Sequence, residues 1–384
     1  MATRTRPTHS PGAAIPSAAP RGVPGALVRE MSPRGAGVAE KGPEVVLEAR
    51  PAIDFVVSLI GDTEQELLPA DAAWRQASSE SLSASLRRDL ARAFSLGDES
   101  HKSVSGWACL MIIVPRREIR TAADVVAFAS QVTPRELVRN ACEDEDLEAS
   151  RALVERYFAG ETDLLEELVA SAPGEVQMAI RRLLEDPEGE LRALRRVLRA
   201  WQERFAEIEP HVARMHERDI LDRQAALARL PLVDFVEQVT NGLRWTPAAT
   251  VRTVYLTPSY FARPYNYTFQ GEGWHLFAYP LAETALDGDP GAVPPSTVRL
   301  FRALGDDGRL RILRHLADGD LYLTEIADRM SLSKPTAKHH LAQLRAAGLV
   351  TVISTGGLTY YSLRRDRVAE VGLDLTRYLG ATPS

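Results

Sequence analysis

At 384 residues the chain is long enough for two or three domains, and its 45% hydrophobic and 26% charged content is ordinary for a soluble globular protein. The longest apolar run, Ala108 to Val114, falls far short of the roughly 20 residues that cross a bilayer, so no membrane partner is expected. Cys109 and Cys142 are the only cysteines, which excludes a disulfide framework and a cysteine-based zinc site and points to a reducing cytoplasm.

The net charge of −6 is unevenly spread. Residues 1–43 carry six basic against two acidic side chains, residues 44–296 carry 27 against 41, and residues 297–384 carry 13 against nine. An acidic middle does not lie along a phosphate backbone, whereas a basic C-terminal domain can.

Residues 1–43 are dense in Pro, Ala, Gly, Ser and Arg and are expected to form a disordered tail. Pro16, Pro20 and Pro24 break any apolar stretch there, so no secretory signal is expected.

The block 44–290 reads as mixed and largely helical. Thr133-Pro134-Arg135-Glu136 is a capping box that starts a helix. Glu143-Asp144-Glu145-Asp146 lacks the glycine and spacing of a calcium loop and reads as a solvated acidic turn. Leu191, Leu194, Leu198, Trp201, Phe205 and Ile208 recur at steps of three and four along one helix stripe, which Pro210 is expected to kink or end. His211 and His216, five apart, do not share a helix face, which argues against a metal site. Val251 to Leu256, Tyr265 to Gln270 and His275 to Tyr279 are expected strands, and the aromatic residues around them suit packing better than a ligand pocket. No phosphate-binding glycine loop or nucleophile elbow is present, so no catalytic set is assigned. Asp287 to Pro295, with three prolines and two glycines, reads as a linker.

From Ser296 the pattern changes. Leu300, Phe301 and Leu304 form a helix face ended by Gly305, and a second helix with Leu310, Ile312, Leu313 and Leu316 stops at Gly319. Leu323 to Met330 is a two-turn helix, followed by Ser331-Leu332 and by Ser333 as the N-cap of a longer helix ending at Gly348. Val350 to Ser354 and Leu358 to Leu363 alternate as strands around Gly356-Gly357. Helix, turn, longer helix and hairpin is the order of a winged helix-turn-helix. In the longer helix Ala337, Leu341 and Leu344 face inward, with His340 expected to pack. Ser333, Lys334, Thr336, Lys338 and His339 fall on the outward N-terminal part, and two of the chain's four lysines are among them. The overall expectation is a mainly α fold with small β elements (α+β), in which 44–290 precedes a DNA-binding domain at 296–384.

Residues Leu300 to Asp306, Arg309 to Leu313, Leu332 to Leu341, Leu344 to Val350 and Tyr360 to Leu363 resemble the ArsR/SmtB group of bacterial repressors. The resemblance implies a homodimer that binds an inverted repeat in double-stranded DNA and releases it on a signal. It implies dimer contacts from the first and last helices, here Leu300, Phe301, Leu304, Val368, Val371, Leu375 and Tyr378. Arg345, Thr355 and Arg364 join the expected DNA contacts. Where many members carry a metal-binding Cys-x-Cys, this chain has Tyr322 and Thr324, and no histidine follows His340, so no metal or other cofactor is expected. The wing tip, Ser354-Thr355-Gly356-Gly357-Leu358, also lacks the family's basic residues, with Arg364 and Arg365 the nearest substitutes.

Pro258-Ser259-Tyr260-Phe261 and Phe277-Ala278-Tyr279-Pro280 resemble the large domain that precedes such winged helices in some actinobacterial regulators. That likeness implies a sensing or dimerisation role, with a small-molecule effector as the expected input. A protein-interaction module is the alternative, and an enzyme a more distant one. The expected product is a cytoplasmic, nucleoid-associated repressor.

Overall fold

The computed structural model describes residues 42–60, 69–94, 103–142, 147–172, 174–287, 292–355 and 358–380. Most of the expected tail, the acidic turn at 143–146 and the Gly356-Gly357 turn lie outside the described residues.

The first body opens with strand β1 (Glu44–Leu47) and helices α1 (Pro51–Leu59), α2 (Pro69–Glu80), α3 (Ala84–Phe94), α4 (Ser105–Ile113), α5 (Ala122–Ala129) and α6 (Pro134–Ala141). It continues through α7 (Leu147–Phe158), α8 (Leu165–Ser171), α9 (Gln177–Glu185), α10 (Pro187–Leu227) and α11 (Leu232–Val239). Thr133 caps α6 as expected, its Oγ1 accepting from the Glu136 amide at 3.1 Å. The Glu136 carboxylate pairs with Arg116.

Helix α10 is the axis of this body. Its stripe of Leu191, Leu194, Leu198, Trp201 and Phe205 is buried among α1, α3, α5 and α6. The helix does not end at Pro210 but runs on to Leu227. Pro210 faces solvent, where water can satisfy the carbonyl its ring leaves unpaired, while Val212 and Met215 bury the far side.

Strands β2 (Leu243–Arg244), β3 (Thr253–Ser259), β4 (Tyr267–Gly271) and β5 (Trp274–Pro280) follow. The first sheet has the order β1-β3-β5-β4, with β4 antiparallel to β5 and the other pairs parallel. Pro258 is tolerated in β3 because β1 stops at the level of Leu256. Tyr255, Tyr265, Tyr267, Trp274 and Tyr279 are buried, as ordinary packing requires.

Two buried polar groups fasten the helices to this sheet. The Arg50 guanidinium donates to the carbonyls of Ile113, Val114, Arg116 and Ile119 at 2.6–3.0 Å, filling acceptors that the end of α4 leaves open. Asp54 accepts from the Ser259 hydroxyl, the amides of Tyr260 and Phe261, and His216 Nε2 at 3.0 Å. The carboxylate stands between serine and histidine, so His216 cannot take the serine proton. This buried trio anchors the 259–262 loop and does not form a nucleophilic relay.

The second body comprises α12 (Pro295–Leu304), α13 (Asp307–Asp318), β6 (Leu321–Tyr322), α14 (Leu323–Met330), α15 (Lys334–Ala346), β7 (Val350–Thr355), β8 (Leu358–Leu363) and α16 (Arg365–Tyr378). It closes over Leu300, Ile312, Leu316, Ile326, Leu341, Leu344 and Val352. The whole is mainly α with small sheets.

The two bodies share a sheet. Its order is β2-β7-β8-β6, so a strand of the first body lies parallel along the edge of the wing, with Leu243 opposite Val352 and Arg244 opposite Ile353. The bodies are thus joined by this strand pair as well as through the stretch read as a linker, 287–295, of which residues 288–291 lie outside the described residues.

Candidate nucleic-acid interface

Helix α15 is built to show one face. Ser333 caps it, its Oγ accepting from the Thr336 amide at 3.3 Å, and Pro335 sits in the first turn, where no intrahelical amide bond is lost. Ala337, Leu341 and Leu344 are buried. Ser333, Lys334, Thr336 and His339 are exposed, and Lys338 is half-buried beside them. Two contacts order this surface: Ser333 Oγ lies 2.7 Å from Thr336 Oγ1, and Gln343 Nε2 donates to His339 Nε2 at 2.8 Å. His340 turns inward with its Nδ1 3.9 Å from Asp306, as expected. Burial lowers its pKa, opposed by the Asp306 charge.

Each helix before α15 ends in a way that positions it. Asp306 caps α13 by accepting from the Arg309 amide at 2.8 Å. Ser331, at φ 53°, makes the left-handed turn out of α14. Gly348, at φ 72°, ends the segment after α15, and a side chain there would meet Asn241 Oδ1 at 2.7 Å.

That asparagine belongs to the first body. Asn241 Nδ2 donates to the carbonyl of Arg345 at 3.2 Å, at the C-terminal end of α15, and its Oδ1 accepts from Arg364 at 3.3 Å. Tyr265 and Asn266 reach the same end of the helix, where Arg345 Nη2 donates to Asn266 Oδ1 at 2.7 Å. Arg345, expected among the DNA contacts, is therefore buried at the junction, and desolvation lowers its pKa. Arg364 is half-buried and held by Asn241, which turns it from the wing toward the seam. The side chain of Thr355 lies outside the described residues. The Asn241-Gly242 dipeptide, a turn signal, was the one local hint of this contact in the sequence.

The expected dimer residues also divide. Leu300 is fully buried in the domain's own core, and Leu304 and Val371 pack against that core, so Leu300 has no surface to offer a partner. Phe301, Val368, Leu375 and Tyr378 are 38–42% exposed on α12 and α16, two helices in contact with each other. At the position of the family's metal-binding cysteines, Tyr322 hydrogen-bonds through its hydroxyl to Tyr360, the two ring centroids 4.0 Å apart.

Residues 306–352 match the family model described as bacterial regulatory protein, arsR family. An uncharacterised HTH-type transcriptional regulator of Methanocaldococcus jannaschii is 38% identical over 73 residues, which cover 19% of this chain and 82% of that protein. The chain belongs to the arsR family. Other relatives of this family member include the HTH-type transcriptional regulator KmtR of Mycobacterium tuberculosis, 34% identical over 20% of this chain and 59% of KmtR. The transcriptional repressor SdpR of Bacillus subtilis is 38% identical over 17% of this chain and 71% of SdpR. In this arsR-family chain the DNA-binding regulator module is thus the C-terminal body, and the family model leaves residues 1–305 unmatched.

Proposed function

We propose that the chain is a homodimeric transcriptional repressor that reads an inverted repeat in double-stranded DNA and acts on the nucleoid in the cytoplasm. The observation that carries this reading is the outward N-terminal half of α15, where Ser333, Lys334, Thr336 and His339 stand exposed on the basic part of the chain. A helix held by its buried face and far end presents such a set to the major groove, where lysine reaches guanine or phosphate and threonine meets a base edge or methyl. Phe301, Val368, Leu375 and Tyr378 support the dimer, because four partly exposed apolar side chains on adjoining helices favour burial against a second copy.

The input is a non-metal effector acting on the N-terminal body. Because that body is joined to the wing by a strand and to α15 by Asn241 and Asn266, a change in it rotates or tightens the reading head directly.

The test begins with fragments recovered from genomic DNA by the purified protein. On such a fragment Lys338→Ala is expected to weaken binding roughly tenfold and to flatten the salt dependence by about 0.9 in log–log slope. Binding unchanged in both respects would remove α15 from the groove.

A further inference from the structure

The wing tip, Ser354 to Leu358, has no charged side chain, and Arg364, the nearest basic residue on the hairpin, is held by Asn241. Strand β2 runs along the same wing. It is parallel to β7, so it advances toward the tip, and Arg244 is its last residue, level with Ile353. We propose that Arg244 supplies the phosphate contact that the wing itself lacks, so that the N-terminal body forms part of the DNA-binding surface. This rests on the reading of α15 as the groove-facing helix.

The geometry supports the placement in three ways. Side chains alternate across a strand, so Leu243 turns inward with Val352 while Arg244 takes the opposite face with Ile353, where its side chain is 52% exposed. Ile353 lies two residues short of the end of β7, about 7 Å along the strand, and neighbouring strands are about 4.8 Å apart. Arg244 therefore stands near the tip end of the sheet, on its outer face.

The backbone beneath Arg244 is also fixed. The Val352 amide donates to Gly242 O at 3.0 Å, the Leu243 amide donates to Thr240 Oγ1 at 3.2 Å, and Asn241 holds the end of α15. The Arg244 backbone is therefore kept in register with the reading helix before DNA arrives, which lowers the ordering cost of the contact. Its ion pair runs from Nε to both carboxylate oxygens of half-buried Glu237, at 3.1 and 3.3 Å, and leaves the two Nη groups of the half-exposed guanidinium outside it. The Nη edge can therefore reach a phosphate, whose charge competes with the carboxylate for the guanidinium.

The test measures dissociation constants on a recovered fragment over a range of salt, using the full chain. Arg244→Ala is expected to bind roughly three- to tenfold more weakly at physiological salt, with a log–log salt slope shallower by about 0.9. Arg244→Lys, which keeps the charge, is expected to retain the wild-type slope, and Glu237→Gln to bind more tightly than wild type. An unchanged constant and slope for Arg244→Ala overturns the proposal. So does a loss that Arg244→Lys shares in full, because the side chain would then matter only to the fold. If Lys338→Ala loses binding and Arg244→Ala does not, this inference alone fails. If the wild-type chain recovers no DNA, both readings fail.

Discussion

His275 stacks on Phe277 with ring centroids 4.3 Å apart and lies against Trp245, and neither ring nitrogen has a hydrogen-bond partner among the described residues. Desolvation pushes its pKa from 6.5 down to about 3. An unfolded chain takes up this proton near pH 6.5 and the folded chain only near 3, so stability is full above that window and drains as pH falls through it. The loss approaches about 1.4 kcal/mol per pH unit for one such site. Replacing the ring by His275→Phe is expected to flatten the acid limb of a denaturation series between pH 6 and 4. An unaltered limb would mean that the imidazole is protonated in the folded state. Arg345 and Leu300 show what remains hidden from sequence at this scale. Both carry the composition of their expected roles, a basic helix residue and an apolar one on a family dimer helix, but Asn266 is 79 residues away from Arg345 in the chain. No local pattern encodes which cation is covered by a distant loop.

Helices and hairpins were the most legible elements, because their signals are local. Ser333 with Pro335, and Gly348, mark helix ends by capping chemistry that depends on a few neighbours, and both act as expected; Asp306 caps α13 by the same chemistry. Strand β2 has only two residues, too few to show any period, so the shared sheet had no signature of its own. Pro210 does not end its helix because the cost of a proline depends on which side faces water, and α10 places it outward. Asn241 tests the junction. At φ 57° it occupies a conformation glycine adopts freely, so Asn241→Gly relieves the backbone while deleting the bonds to Arg345 O and Arg364. A lower thermal midpoint, corresponding to about 1 kcal/mol, is the expected outcome. A raised midpoint would show that these bonds contribute less than the backbone relief.

At the scale of the whole molecule, the acidic N-terminal body and the basic C-terminal body are joined by a strand pair at the edge of the wing. The uneven charge was legible in the sequence and remains the reason a chain of net −6 can hold DNA. The junction was not legible, because it depends on contacts between residues a hundred positions apart. The proposed dimer surface on α12 and α16 gives a direct expectation: Tyr378→Glu, which adds a charge to the helix that also carries exposed Val368 and Leu375, shifts the chain toward the monomer in sedimentation. A variant that sediments as wild type would place the dimer contact elsewhere. The most direct measurement is a cleavage-protection footprint of the full chain on a recovered DNA fragment. Two protected half-sites in inverted orientation, about 10 base pairs apart centre to centre, are the expected result. A single unpaired footprint, or protection that survives Lys338→Ala unchanged, would contradict it.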